Sequence, residues 1–229
     1  MELSKRLITV AALANPCHCI VDIGTDHAYI PIYLVKNNVC SYAIASDINR
    51  GPVEKALLNV RSHNLQHKID CRLGAGLNTL KPKEADAAII AGMGGNLIRD
   101  ILEEGLSIVK ELEYLVLQPV QNPEVLREYL YTKGYEILQE DLCIDENIFY
   151  EIIKIRYSER KYNIDSIFYE VSRELLNNKH PLIKEFIVKK LNGYNKILGK
   201  INETSEAANA RRDELNIKIK KLEEMLLCL

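Results

Sequence analysis

The sequence predicts an α/β fold with a mainly parallel sheet, followed by a helical region. Three observations lead to this prediction. Short apolar runs alternate with helix-compatible segments through the first 157 residues. The last two of these runs are separated only by the turn-prone Asp145-Glu146-Asn147. After Arg156 the strand pattern stops, and apolar residues recur at spacings of three and four, as they do in packed helices.

Seven strands are predicted from the apolar runs, at 19–23, 42–47, 69–73, 87–91, 114–118, 135–143 and 149–156. Helices are predicted at 3–13, 28–36, 53–63, 97–104 and 123–133. Strands linked through helices lie parallel in one sheet with helices on both faces. The final two strands should close one edge as an antiparallel hairpin. This arrangement is that of the class I methyltransferases, whose Rossmann-like sheet has seven strands.

The region 158–229 is predicted to be a separate helical domain, and residues 1–157 the α/β domain. One helix is expected at 165–176, and the apolar seam from Ile187 to Leu226 indicates a coiled coil. Poor helix formers cluster at 202–210, which favours two helices folded into an antiparallel hairpin. A single long helix forming a parallel dimer is the alternative. We expect a monomer in preference to a coiled-coil dimer.

Composition limits the class of protein. The chain has 229 residues, of which 47% are hydrophobic and 27% charged, as in ordinary globular proteins. It has no apolar run of bilayer length and no signal-peptide pattern, so we expect a cytoplasmic protein without a membrane partner. The six cysteines lack metal-binding spacing, and we expect buried reduced thiols and no metal.

The formal net charge of −2 does not by itself indicate a nucleic-acid partner. The charge is unevenly distributed, because residues 158–229 carry 14 Lys and Arg against 11 Asp and Glu. This excess is compatible with a basic binding face and equally with an ordinary solvated helix surface.

The most informative motif is Asp22-Ile-Gly24-Thr-Asp26-His27, which lies between a predicted strand and a predicted helix. A strand that ends in acid-x-Gly and turns directly into a helix is typical of nucleotide-like cofactor sites. A dinucleotide fingerprint would have further glycines where Asp26 and His27 stand. Because a carboxylate repels a diphosphate, this motif argues against NAD or ATP and favours a cofactor with a positive centre.

Four further turns are predicted at the same edge of the sheet. Asp47 ends the second strand 23 residues after Gly24, near the spacing at which an acid binds ribose hydroxyls, although it could also cap a helix. Residues 74–76 and 92–95 are glycine-rich turns after the third and fourth strands, which allow close approach of a flat ligand. Gln118-Pro119 follows the fifth strand, where Gln118 would lie at the cleft rim or cap the next helix.

The combined motifs resemble one family. They are Ser4-x-Arg6-Leu7, Asp22-Ile-Gly-Thr-Asp-His-Ala-Tyr-x-Pro31, Gly51-Pro52, Ala91-Gly-Met-Gly-Gly95 and Leu117-Gln-Pro119. This set is similar to the TrmK family of bacterial tRNA methyltransferases, which methylate N1 of the adenine at tRNA position 22. The resemblance covers nearly the whole chain, with the coiled coil matching in architecture more than in residues.

The resemblance implies S-adenosylmethionine as cofactor, with its sulfonium as the positive centre. The implied cofactor-binding residues are Asp22 and Gly24 for the methionine part, Asp47 and Ile48 near the ribose, Gly74, Ala75, Gly76 and Met93 for the adenine, and Gly92 nearby. The family often has Asp or Asn where this chain has Ala75. Cofactor affinity here would therefore depend on backbone contacts at that turn.

The resemblance also implies catalytic and substrate-binding residues. Asp26 would stabilise the cationic product or accept a proton, and Gln118 or His27 would orient the base. Arg6, Tyr29 and Pro119 would bind the target nucleotide. The tRNA body would contact basic residues, chiefly Lys189, Lys190, Arg211 and Arg212, with Lys5, Lys196, Lys218, Lys220 and Lys221 as further candidates. The alternatives are a methyltransferase of a small molecule or protein, and a non-catalytic S-adenosylmethionine-binding module.

Overall fold

A computed structural model describes residues 3–229 and divides the chain into two compact units. The first unit ends at Ile164 and the second runs from Asp165 to Leu229. Sequence analysis placed the boundary after residue 157, which is where the last strand of the first unit ends. The intervening residues stay with the sheet, because the Tyr162 N–H donates a hydrogen bond to the Tyr131 carbonyl.

The first unit contains one seven-stranded sheet in the order β3-β2-β1-β4-β5-β7-β6. The strands are β1 Cys17–Ile23, β2 Cys40–Asp47, β3 Ile69–Leu73, β4 Ala87–Gly94, β5 Tyr114–Gln121, β6 Tyr135–Asp145 and β7 Ile148–Tyr157. Strands β1 to β5 are parallel, and β7 is antiparallel to both β5 and β6. The prediction of a parallel sheet closed by an antiparallel edge hairpin is therefore confirmed.

Within residues 3–164 the structure has six helices: α1 Lys5–Ala12, α2 Tyr29–Lys36, α3 Arg50–Ser62, α4 Gly95–Glu104, α5 Leu106–Val109 and α6 Pro123–Lys133. A 3₁₀ turn spans Gly76–Thr79. The short α5 and the 3₁₀ turn were not predicted, because neither is long enough to establish a periodic apolar pattern.

Two hydrophobic cores cover the two faces of the sheet. Helices α1, α2 and α3 supply one core, and α4, α5 and α6 supply the other. The strands alternate between them: Ile20 and Ile89 face the first core, whereas Val21 and Ile90 face the second. This period of two is the geometric property of a strand, and burial on both faces explains the continuous apolar runs.

The second unit contains α7 Ile167–Glu170, α8 Arg173–Asn177, α9 Ile183–Leu198 and α10 Glu206–Leu227. The prediction of one helix at 165–176 is wrong. Val171 is extended at φ −134°, and the Ser172 hydroxyl accepts a hydrogen bond from Leu175 N–H, which starts a new helix.

Helices α9 and α10 pack against each other, joined by residues 199–205. Their shared core contains Ile187, Leu191, Leu215 and Leu222. The break in the helix matches the predicted hairpin and excludes the alternative of one continuous helix through this region.

No helix within residues 3–229 is long and apolar enough to cross a membrane. Within the same range no three His, Cys, Asp or Glu side chains are grouped as they would be around a metal ion. The cysteines are unbridged, and burial raises the pKa of the Cys19 thiol to about 11, so this thiol stays protonated at neutral pH.

Candidate active site

The turns that follow the first four strands meet at one edge of the sheet. The N–H groups of Gly24 and Thr25 donate to the Ser46 carbonyl at 2.8 and 2.9 Å, which joins the turns after β1 and β2. The Gly74 N–H donates to the Asp47 carbonyl at 2.9 Å and joins the turn after β3. Strand β1 lies between β2 and β4, so the direction of strand progression reverses here, where open α/β sheets bind ligands.

A cleft of about 320 Å³ opens at this reversal, and we call it the β1–β4 cleft. Its lining residues are Arg6, Leu7, Asp22, Gly24, Thr25, Asp26, His27, Tyr29, Ile30, Ala91 and Gly92. Predicted cofactor, catalytic and substrate residues are thus brought together from α1, β1, α2 and β4. The sequence separates these segments by as much as 86 residues, from Arg6 to Gly92.

Asp22 is the buried carboxyl group of this cleft. Burial raises its pKa to about 6, a hydrogen bond from Thr25 acts in the opposite direction, and the nearby Asp47 adds to the rise. A buried acid without a cationic partner is unstable as a carboxylate. A positively charged ligand group bound beside it would remove that penalty.

Gly24 is required by two features of the turn. Its φ of +79° lies in the left-handed region that favours glycine. A Cβ at this position would also lie 2.0 Å from Met93 Cε, so any larger residue would displace the Met93 side chain. Met93 therefore covers the Gly24 turn, which brings the predicted adenine-side residue next to the predicted methionine-side residue.

The two glycines of the third turn each have a local reason to lack a side chain. Gly76 has a φ of +50°, and a Cβ on Gly74 would lie 2.6 Å from Thr79 Cγ2. Ala75 between them is extended and exposed. Asp47 Oδ1 accepts a hydrogen bond from Asn49 N–H at 2.7 Å, and the neighbouring Ile48 is exposed at the same strand end.

Asp26 presents an exposed carboxylate at the mouth of the cleft, held between two groups. Lys55 Nζ lies 3.3 Å from its Oδ1 and His27 Nε2 lies 3.2 Å from its Oδ2. The His27 ring stacks on Tyr29 with centroids 5.0 Å apart. The His27 carbonyl accepts a hydrogen bond from Asn59 at 2.8 Å. Lys55 and Asn59 were missed by sequence analysis, because helix α3 carries no short motif that points to them.

Gln118 does not lie at the rim of the cleft. Its side chain is fully buried, and both ends are engaged: Oε1 accepts from Arg6 Nη1 at 2.7 Å and from Gly92 N–H at 3.2 Å, and Nε2 donates to the Pro119 carbonyl at 2.9 Å. Gln118 therefore reaches the cleft only through Arg6 and Gly92. Pro119 is buried beside it and pairs in register with Met93.

The predicted tRNA-contacting residues of the second unit differ in how they are engaged. Lys190 is largely buried and pairs with Glu170 at 3.2 Å. Arg212 donates to the carbonyls of Ile201 and Glu203 at the α9–α10 turn. These two side chains hold the unit together.

Three other predicted contacts of this unit are more accessible, whereas Lys218 and Lys221 are partly buried and pair with Glu170 and Asp165. Arg211 is exposed and pairs with Glu214 at 2.5 Å. Lys189 and Lys196 are exposed on the solvent-facing side of α9.

The donor set at the sheet edge fits S-adenosylmethionine. The buried Asp22 suits the cationic groups of the methionine part, and Asp47 ends β2 where a ribose would be bound. Glycines 24, 74 and 76 keep the backbone free of side chains. The fold and this site together define a class I S-adenosylmethionine-dependent methyltransferase.

The family is established by comparison. A model of the TrmK family, tRNA (adenine(22)-N(1))-methyltransferase, matches residues 20–224. The tRNA (adenine(22)-N(1))-methyltransferase of Bacillus subtilis is 40% identical over 167 residues, which are 73% of this chain and 70% of that protein. The chain belongs to the TrmK family, as its motifs predicted.

Two solved structures agree with this assignment. The Streptococcus pneumoniae protein Sp1610, solved in complex with S-adenosyl-L-methionine, is 31% identical with a TM-score of 0.87 over 98% of this chain and 100% of that one. M. capricolum TrmK, in complex with the cofactor product S-adenosyl-homocysteine, is 30% identical with a TM-score of 0.86 over 99% of this chain and 100% of that one.

Proposed function

We propose that this chain transfers a methyl group to N1 of adenine 22 in tRNA, with Asp26 as the catalytic carboxylate. The observation that carries the proposal is the position of Asp26, exposed at the mouth of a cleft whose inner wall is the buried Asp22. One carboxyl group is thereby available to the substrate, and the other to the cofactor.

Cofactor binding is assigned to the turns after β1, β2, β3 and β4. Asp22 would pair with the cationic methionine part, Asp47 with the ribose hydroxyls, and the backbone at Gly74, Ala75 and Gly76 with the adenine. When bound, S-adenosylmethionine supplies an activated methyl group on a sulfonium. Met93 and Ile48 contribute apolar surface beside these groups, since both lie at the same strand ends.

Methylation of adenine N1 requires a group that stabilises positive charge on the base, and Asp26 is the proposed group. Neutral adenine N1 carries a lone pair, so no proton has to be removed before attack, and the ring becomes cationic as the new bond forms. A fixed carboxylate stabilises charge that develops only in the transition state. Asp26 would accept a hydrogen bond from the adenine N6 amino group or take a proton from it. Lys55 and His27 hold the carboxylate in place until the base arrives.

N1 is on the Watson–Crick edge, so the target base must be unpaired or flipped out to enter the cleft. His27 stacked on Tyr29 provides an aromatic surface at the cleft wall on which a flipped base can stack. This role suits His27 better than proton transfer, because its ring is already occupied by Tyr29 and Asp26.

For the tRNA body we propose the solvent-facing side of α9, with Lys189 and Lys196. This helix carries four lysines and one acid between Ile183 and Leu198. Lys190 and Arg212 are reassigned to the internal structure of the unit on the basis of their partners. The closed α9–α10 hairpin supports a monomer, and a tRNA substrate supports a cytoplasmic location.

The deciding experiment is transfer of labelled methyl groups to tRNA transcripts with adenine or guanine at position 22. We expect N1-methyladenosine from the first transcript and no product from the second. Methylation of both transcripts, or of neither, would contradict the proposal.

Asp26→Asn should lower kcat about 10²- to 10³-fold, the range found for one preorganised electrostatic group, and leave cofactor binding intact. Asp70→Asn is the matched control. Asp70 also pairs with a cationic side chain, at 2.8 Å from Arg72, and its exposure of 62% matches the 61% of Asp26. Equal rates for the two variants would remove Asp26 from the mechanism.

A further inference from the structure

Arg6 places a positive charge in the β1–β4 cleft with no carboxylate in salt-bridge contact, although the Asp145 carboxylate, whose pKa is lowered by a hydrogen bond from the Arg6 N–H and in part by attraction to the Arg6 charge, lies nearby. Its Nη1 donates to the neutral amide oxygen of Gln118 at 2.7 Å, and its Cζ lies 5.5 Å from the centre of the Tyr150 ring. Its backbone N–H, not its side chain, is bound by Asp145 at 3.0 Å. Among residues 3–229 the guanidinium has no ion-pair partner and donates no other hydrogen bond.

The other shielded arginines of this unit are paired differently. Arg72, Arg99 and Arg127 are, like Arg6, not fully exposed, and each has a carboxylate oxygen within 2.8 Å of a guanidinium nitrogen. Arg6 differs from these three in having a neutral amide oxygen as the hydrogen-bond acceptor of its guanidinium. A neutral amide and an aromatic ring hold it in place without cancelling its charge.

The supporting groups come from four separate strands. Gln118 lies in β5 and Asp145 and Tyr150 in the β6–β7 hairpin, while Gly92 from β4 lies directly beneath, with its Cβ position 3.5 Å from Arg6 Nη1. Gly92 has a φ of +80° and its N–H is bound by the same Gln118 oxygen. The buried amide therefore fixes the guanidinium and the floor of the cleft relative to each other.

The charge on Arg6 excludes contact with the reacting base as its role. A cation beside adenine would oppose the positive charge that develops on the ring. The natural partner is an anion: an incoming nucleotide carries one in its phosphate, and S-adenosylmethionine carries one in its carboxylate. Measuring S-adenosylmethionine affinity alongside RNA affinity distinguishes the two. A guanidinium presents several N–H donors in a planar fork, a geometry suited to phosphate oxygens.

We propose that Arg6 binds a backbone phosphate flanking the target nucleotide, and that Gln118 is a positioning residue that acts through Arg6. This inference rests on the proposed function, since it assumes an RNA substrate. The two ends of the nucleotide would then have different partners: Asp26 contacts the base, and Arg6 binds the phosphate.

The test combines a protein change with an RNA change. tRNA transcripts are ligated with a single uncharged methylphosphonate on the 5′ or the 3′ side of nucleotide 22, and assayed with wild type, Arg6→Met and Arg6→Lys. With ordinary tRNA, Arg6→Met should raise the Kd and KM about tenfold and lower the salt slope of binding by about 1. With the methylphosphonate at the phosphate that Arg6 binds, the affinity of the wild type for the RNA should fall by a similar factor. The affinity of Arg6→Met for this RNA should be little lower than its affinity for ordinary tRNA.

Independent, multiplicative losses from the two changes would overturn the proposal. Arg6→Lys keeps the charge and should recover part of the affinity for ordinary tRNA only. Recovery by Arg6→Lys that is equal for ordinary and neutral RNA would indicate a structural role and also contradict it. Arg50→Met, which removes an exposed arginine outside the cleft lining, is the charge-matched control.

Gln118→Glu provides the second arm. A carboxylate at this position would pair with Arg6 and neutralise it, so we expect RNA affinity to fall as it does in Arg6→Met while S-adenosylmethionine affinity stays unchanged. Unchanged RNA affinity in Gln118→Glu would contradict the positioning role. Because these are binding measurements, loss of the Arg6 effect is distinguishable from a failure of methyl transfer by the wild-type protein.

Discussion

Arg6 and Arg127 lie in the same unit, but their guanidinium groups are bound by different kinds of partner. Arg127 is fully buried and bound by two carboxylates, Glu140 at 2.8 Å and Glu151 at 2.5 Å. Arg6 is half-buried and bound by the neutral amide of Gln118. The first network joins α6 to the β6–β7 hairpin, and the second borders the cleft. A buried charge that forms ion pairs with acids contributes to the native structure. A charge held only by neutral groups remains available to a ligand.

The same contrast occurs within the helical unit. Glu170 is buried and binds Lys190 at 3.2 Å, Lys218 at 2.7 Å and the Tyr194 hydroxyl at 2.5 Å, so α9 and α10 are both tied to α7. Lys196 lies on α9 but faces solvent. Side chains of one chemical type, a few residues apart, are therefore expected to act on stability in one case and on RNA binding in the other.

The largest effect is expected for Arg127→Met. It would leave the buried carboxylates Glu140 and Glu151 without their cation, which typically costs about 3–5 kcal/mol. Urea unfolding followed by circular dichroism should show a clear fall in the midpoint. Arg156→Met removes an exposed arginine that pairs with Glu136 at 2.6 Å and should cost less than about 1 kcal/mol. Comparable losses of unfolding free energy in the two variants would mean that burial does not determine how much these ion pairs contribute to stability.

A smaller effect is expected for Glu170→Gln, which should destabilise the helical unit by about 2 kcal/mol through the loss of charged hydrogen bonds. Hydrogen exchange of α9 and α10, measured by mass spectrometry on the full chain, would detect it. Burial acts to raise the pKa of Glu170, but Lys190, Lys218 and the Tyr194 hydroxyl outweigh it and lower this pKa from 4.5 to about 2. This stabilisation is therefore present above pH 4.5 and lost as the pH falls towards 2.

In Glu170→Gln, the stability of α9 and α10 against hydrogen exchange should not show this loss at acid pH. Glu214→Gln is the control, because Glu214 also pairs with Lys218, at 3.0 Å, but is exposed. Equal protection of the helices in wild type and Glu170→Gln would rule out a stabilising role for the Glu170 cluster.

The buried Asp22 predicts a pH dependence of cofactor binding. Its pKa is raised to about 6, so below pH 6 the carboxyl group is protonated and cannot pair with a cationic ligand. The Kd for S-adenosylmethionine, measured by calorimetry, should therefore rise by up to about tenfold for each pH unit below 6 and level off above it. Asp22→Asn should bind weakly at all pH values without this slope. A wild-type Kd that is constant between pH 5 and 7 would contradict the pairing.

The smallest effect is expected from single lysines on α9. Lys196→Ala should weaken tRNA binding modestly and lower the salt slope by about 1, as for loss of one phosphate contact. Lys184→Ala is the control on the same helix, because Lys184 points about 120° away around the helix axis by the 100° step per residue. Identical salt slopes for Lys196→Ala and wild type would remove this face of α9 from the tRNA interface.

Much of the α/β unit was predictable because local pattern and tertiary environment agree. The buried strands read as continuous apolar runs, and the short 145–147 turn required β6 and β7 to pair. The failure at 165–176 has a local cause, since Ser172 caps a new helix after the extended Val171. A serine after a β-branched residue can lie within a helix or start a new one, so the apolar pattern alone does not distinguish the two.

Local sequence patterns were sufficient to predict the order of the seven strands and of the longer helices along the chain, the acid-x-Gly turn at Asp22 and Gly24, and the family. These features depend on residues close together in the chain, where periodicity and backbone preference act. The contacts between side chains that are far apart in the sequence depend on the tertiary structure. It buried Gln118 and gave it Arg6, 112 residues away, and it paired Asp26 with Lys55 across 29 residues. No local pattern encodes such contacts, because they arise when the sheet brings the ends of distant strands to one edge.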